Sequence, residues 1–166
     1  METALQNLGE LGEIGSEGMM MSDFLSRGGT FKDLKGMSED SMEAIYSVAY
    51  NLYEGGRYDE AFKVFQFLCF FDHYCTKYFL GLGACLLMQK EYDRAIEAFG
   101  YVCAIDSTDP QAMRYIGDCH LAAGEPDAAC VAYQAVVDWD GDGDQTQWQD
   151  EKQRAQGILD SLKNEE

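Results

Sequence analysis

Tyr46, Tyr50 and Tyr53 recur at i, i+4 and i+7, which places three phenol rings in one stripe of a helix. Such a stripe offers broad apolar area at low entropic cost and hydroxyls for peptide carbonyls, which is the chemistry of recognition. Asp138, Asp140, Asp142, Gly143 and Asp144 open like a calcium-binding loop. The twelfth position of that loop is Gln149, where a bidentate glutamate is required, so an acidic turn ahead of a capped helix is the preferred reading. His73 and His120 lie in no pattern that supplies a nucleophile or an orienting carboxylate, and catalysis has no support. Cys69, Cys75, Cys85, Cys103, Cys119 and Cys130 form no CxxC pair and no zinc-like spacing, and read as buried thiols of a reducing compartment. Gly28-Gly29 and Gly81-x-Gly83 lack the preceding strand and later signature of a phosphate cradle. No cofactor and no metal are expected.

The elements that must hold the tyrosines follow from an internal period. The segments RYDEA, EYDRA and EPDAA begin at Arg57, Glu91 and Glu125, an interval of 34 residues, and set three units at 42–75, 76–109 and 110–143. In that frame the fourth position is Ile45, Phe79 and Met113, the seventh Val48, Leu82 and Ile116, and the eighth Ala49, Gly83 and Gly117. The twentieth is Ala61, Ala95 and Ala129, and the twenty-fourth Phe65, Phe99 and Tyr133, so each unit sets small residues beside an aromatic one and lets two antiparallel helices approach closely. Gly55, Gly56 and Gly124 fall at the turn inside a unit, with Lys90 in that place in the middle one. Asp109-Pro110 reads as a capped helix start.

This pattern resembles the tetratricopeptide repeat, a helix, a turn and a second helix per unit. The predicted fold is an all-α solenoid of three such units with N-terminal helices and a C-terminal cap. In repeats of this kind the inner wall is built from the second, fifth, ninth and twelfth positions of each first helix. Here these are Glu43, Tyr46, Tyr50 and Tyr53, then Lys77, Leu80, Ala84 and Leu87, then Gln111, Arg114, Asp118 and Leu121. The tyrosine stripe is separate from the core stripe of Ile45, Val48, Ala49 and Leu52, so Tyr46, Tyr50, Tyr53, Leu80, Ala84 and Leu87 are the candidate peptide-binding residues. The lysine and asparagine of a carboxylate clamp are missing from the first unit, where Tyr46 and Tyr50 stand, which argues against a chain-terminal carboxylate as ligand.

Residues 1–17, rich in Gly and Glu, are expected to be disordered, and 18–41 to hold two short helices. The first of these is 19–25, and the second starts behind Thr30, spaced from Asp33 like a capping box. Over 144–166 a helix starting near Thr146 collects Trp148, Ala155, Ile158, Leu159 and Leu162 on one side and reads as the cap of the last unit. The 30 acidic residues outnumber 12 basic ones, and a formal charge of −18 argues against nucleic acid or an anionic membrane as the direct partner. Neither a secretory signal nor an apolar run of membrane-spanning length is read, which predicts a cytoplasmic protein.

Phe24-Leu25 with Gly28-Gly29-Thr30, the run 46–73 with its Asp72-His73 turn, and the string Gly81-Leu82-Gly83-Ala84-Cys85 after Leu80 together resemble the class II chaperones of bacterial type III secretion over 23–137. The resemblance implies binding of hydrophobic translocator proteins in the bacterial cytosol before export, through a short extended segment with spaced Pro and Leu side chains. It implies that Tyr46, Tyr50 and Tyr53 form an aromatic wall and Leu80, Ala84 and Leu87 the next pockets. Members often self-associate through the region before the repeats, here 19–34, and some act with transcriptional regulators. Two other readings stay open: a repeat adaptor bridging protein partners, and a calcium-responsive module built on 138–144.

Overall fold

The computed structural model describes residues 23–140, apart from 25, and 148–163. The chain divides into two units, 1–38 and 39–166, taken here in turn. The expected disorder of residues 1–17 and most of the predicted helix over 19–25 lie outside the described residues.

In the first unit a helical turn ends at Ser26, and Gly28 follows with φ 85°. The ring of Phe24 lies directly on Gly29, where an added Cβ would stand 2.4 Å from ring carbons, which accounts for glycine beside this phenylalanine. Helix α1 (Phe31–Lys35) opens on the expected capping box: the Asp33 amide donates to Thr30 Oγ1 at 3.3 Å, and the Thr30 amide donates to Asp33 Oδ2 at 3.0 Å. The Thr30 hydroxyl and amide hold the Asp33 carboxyl below its ordinary pKa.

The second unit contains helices α2 (Glu39–Glu54), α3 (Tyr58–Phe71), α4 (Thr76–Met88), α5 (Tyr92–Ile105), α6 (Gln111–Ala123), α7 (Pro126–Asp138) and α8 (Gln149–Lys163). Each packs on the next in sequence, and α2, α4, α6 and α8 also touch in succession, so the first helices of the repeats form one wall that the cap helix extends. Helix α2 begins three residues ahead of the repeat frame, at Glu39.

The small and aromatic positions form the core. Ala61, Ala95 and Ala129 are fully buried, and Phe65, Phe99 and Tyr133 are sealed beside them. A Cβ on Gly83 would stand 2.6 Å from the Phe99 ring, and one on Gly117 2.6 Å from the Tyr133 ring, so each ring rests on the backbone of the first helix of its own repeat. Burying one such ring contributes on the order of 2 to 3 kcal/mol. Ala155 and Leu159 of α8 join Ala129, Tyr133 and Val136 in one cluster, with Ile158 packed against it, which closes the last repeat.

Three identical turns hold the pairs. The amides of Gly56, Lys90 and Gly124 donate to Tyr53, Leu87 and Leu121, and those of Arg57, Glu91 and Glu125 to Leu52, Leu86 and His120. This double bond is the Schellman closure, and it requires a left-handed residue. Gly56 and Gly124 have φ 72° and 81°, and Lys90 is forced to φ 63°. Asp109 Oδ1 accepts from the Gln111 amide at 2.8 Å, as the helix start at Pro110 predicts. One core assignment is corrected: Val48 is 54% exposed. Its counterparts Leu82 and Ile116 pack on the central cluster, whereas α2 is the first helix of its unit and no helix of that unit precedes it.

Candidate functional site

Helix α2 turns one face to solvent, and the tyrosine stripe lies along it. Tyr50 is half exposed, and Tyr46 and Tyr53 are half-buried. These rings and residues of α3, α4 and α6 enclose a cleft of about 290 Å³. It is lined by Tyr46, Tyr50, Tyr53, Phe65, Lys77, Leu80, Gly81, Ala84, Gln111 and Tyr115. Five of the six candidate residues therefore face one space. Leu87, the sixth, packs against the core cluster around Leu86 and Phe99.

The rings brace one another. Tyr46 stacks on Tyr50 with centroids 6.3 Å apart, meets Phe65 edge-on at 5.9 Å and touches Tyr78 at 5.9 Å. Tyr53 is held edge-on by Tyr58 at 5.4 Å. Burial raises the pKa of the Tyr46 and Tyr53 phenols above the ordinary 10.0, so both are neutral donors and acceptors throughout the physiological range. At the rim, Lys77 Nζ stands 4.7 Å from the Tyr46 ring centroid and pairs with Glu43. The cleft thus offers an aromatic and aliphatic wall, phenol hydroxyls, an amide and one cation, a set suited to an extended peptide carrying apolar side chains.

Farther along the wall, the third repeat departs from its expected role. Arg114 is 8% exposed, its Nη1 lies 2.5 Å from Asp118 Oδ2, and its Nε donates to Glu151 of the cap helix. The Tyr133 hydroxyl donates to Asp118 Oδ1 at 2.7 Å, and Arg114 lies over the Tyr115 ring at 4.2 Å. Burial works against the guanidinium charge, but Asp118 and Glu151 outweigh it and the Arg114 pKa is raised. Arg114 is therefore spent on fastening α8 and Asp118 on holding Arg114 and the Tyr133 hydroxyl of α7, and Gln111 and Tyr115 represent this repeat in the cleft. Phe65, Gly81 and Tyr115 are lining residues that the repeat positions did not single out. The available signal was Gly81 itself, a glycine inside a helix with no turn to serve.

Among the described residues there is no group of three or more His, Cys, Asp and Glu placed to hold a metal. Of the calcium-like loop, Asp138 and Asp140 are described, and Asp142 and Asp144 lie outside the described residues.

The tetratricopeptide-repeat family matches this chain at residues 86–155, and a second tetratricopeptide-repeat description matches 42–74. Low calcium response locus protein H of Yersinia pestis is 51% identical over 67 residues, 40% of this chain and 40% of that protein. The chain thus spans two fifths of the length of the curated relatives it matches in this way. A type III secretion complex from Aeromonas hydrophila contains a chain with TM-score 0.77 and 31% identity, over 88% of this chain and 96% of that one. The type III secretion translocator chaperone SycD of Yersinia enterocolitica has TM-score 0.74 and 33% identity, over 80% of this chain and 98% of its own. SycD has also been solved as an alternative dimer and in complex with a peptide of the translocator YopD.

Proposed function

Because this chain belongs to the type III secretion translocator chaperones, we propose that it holds a hydrophobic translocator by an extended segment seated in the tyrosine cleft. The observation that carries the reading is the cleft: three tyrosines of α2 converge with Leu80 and Ala84 of α4 on one solvent-facing space. One side of the Tyr46 ring packs on the buried Phe65 and Tyr78, while Tyr50 stays half exposed, so an aromatic surface beyond the needs of the core is left open to a ligand.

The mechanism is competitive burial. A client segment that occupies the cleft is withheld from other clients and from membranes, and the −18 charge keeps the loaded complex in solution. No bond is made or broken. The place of action is the bacterial cytoplasm, and none of the described helices is long and apolar enough to cross a membrane. Self-association through 19–34 and a contact with a transcriptional regulator complete the proposed partners.

Calorimetry with the YopD peptide tests the reading. Each well-filled ring pocket contributes on the order of 2 to 4 kcal/mol before association costs, so the wild type should bind at micromolar Kd or better. Tyr46→Ala with Tyr50→Ala should weaken binding at least tenfold with unchanged helicity. Equal binding by that double variant would remove the tyrosines from the site.

A further inference from the structure

Among the described residues that line the tyrosine cleft, Lys77 alone carries a formal charge. It stands at the second position of its repeat, where the neighbouring repeats have Glu43 and Gln111. Its ammonium lies over two rings, 4.7 Å from the Tyr46 centroid and 5.5 Å from that of Tyr78, and it pairs with Glu43 of the preceding repeat. Glu43 is not one of the lining residues, so the pair presents its cation to the cleft and keeps its anion outside. The side chains of Lys77 and Glu43 are 42% and 56% exposed, and an ion pair so open to water is weak. A ligand that covers the cleft changes this balance. It strips water from the ammonium, which costs free energy unless the ligand brings a polar or anionic partner.

We infer that Lys77 is a specificity-determining residue of the cleft, selecting client segments that place an acidic side chain beside their apolar ones at the Tyr46 end. This rests on the peptide-binding reading above and names which segments that site prefers. A carboxylate there meets an ammonium already held by Glu43 and two rings, so little side-chain freedom is lost on pairing. A wholly apolar segment leaves the ammonium dehydrated over Tyr46, and a basic side chain meets like charge. Tyr50, Leu80 and Ala84 offer apolar area to all three kinds of segment alike, so the charge at Lys77 discriminates among them. The net charge of −18 does not cancel the effect, because charges more than about 8 Å from the site are largely screened at physiological salt.

The test reads a charge scan of the ligand against a charge swap in the protein. Each residue of the YopD peptide is replaced in turn by Glu, Gln and Lys, and Kd is measured by calorimetry. With the wild type, one position or two adjacent ones should bind about fivefold or more tightly as Glu than as Gln, and that difference should shrink at high salt. Lys77→Met should bind the Glu and Gln forms of that position within about twofold of each other. Glu43→Lys with Lys77→Glu keeps an ion pair between the two repeats and inverts the sign that the cleft presents. At the same position this folded double variant should bind the Lys form more tightly than the Glu form, an inversion that a merely structural role for Lys77 does not produce. A wild type indifferent to Glu, Gln and Lys at every position would overturn the inference, and so would a swapped variant that keeps the wild-type preference. If the wild type binds neither the YopD peptide nor any member of the scan, the peptide-binding reading falls and takes this inference with it.

Discussion

Replacing Glu151 by alanine tests whether the cap helix is fastened by charge as well as by apolar packing. Glu151 lies within α8, and its carboxylate accepts from Nε of Arg114, a guanidinium only 8% exposed. The substitution leaves Arg114 with Asp118 as its remaining anionic partner. A hydrogen bond to a charged group contributes about 1.5 to 3 kcal/mol. Stranding a buried charge entirely costs about 3 to 5 kcal/mol. With Asp118 retained, a loss of about 2 to 3 kcal/mol is expected, which for a chain of this size lowers Tm by about 5 to 10 °C. Thermal melting followed by far-ultraviolet circular dichroism measures it. Because the pair is buried, the shift should persist at high salt. Arg114→Met with Glu151→Leu should recover most of the loss, since an apolar pair of similar volume replaces a buried ion pair at little cost. A Glu151→Ala protein melting within about 1 °C of wild type would refute the reasoning.

Two further predictions concern the scaffold. Lys90 at φ 63° occupies the place of Gly56 and Gly124 in the recurring turn. Lys90→Gly should match or slightly raise urea stability, and Lys90→Val should lower it by about 1 to 2 kcal/mol because a β-branched residue resists the left-handed region. Burial pushes the thiols of Cys69, Cys85 and Cys119 up to about 12, so native protein at mildly alkaline pH should leave these three unlabelled by a thiol reagent. Mass spectrometry should find them labelled only after denaturation, and rapid native labelling of Cys85 would contradict the packing of α4.

What could be read from the sequence was whatever the 34-residue register repeats. Ala61, Ala95 and Ala129 with their aromatic partners are one local contact seen three times, and periodicity alone places them in the core. The turn at Lys90 was legible for the same reason, because its neighbours in register are glycines. Contacts that break the register were not legible. Arg114 stands at a wall position, and its partner Glu151 lies 37 residues away in a helix outside the repeats. Val48 has the right type and spacing for a core residue, but burial depends on a neighbour that a first repeat lacks in its own unit. Phe65 counts as core by register and is buried, yet its ring also borders the cleft, where it lies against the backbone of Gly81 in the next repeat. That double role depends on packing between two repeats, and neither residue signals it alone.

The most direct test of the chaperone account is co-expression with a translocator from the same bacterium, measuring the soluble yield of the translocator. The account predicts that the wild-type chain raises that yield several-fold and recovers the translocator in complex, and that the Tyr46→Ala and Tyr50→Ala double variant, folded to the same helicity, does neither. A translocator equally soluble with the wild type, with the double variant and with no partner at all would contradict it.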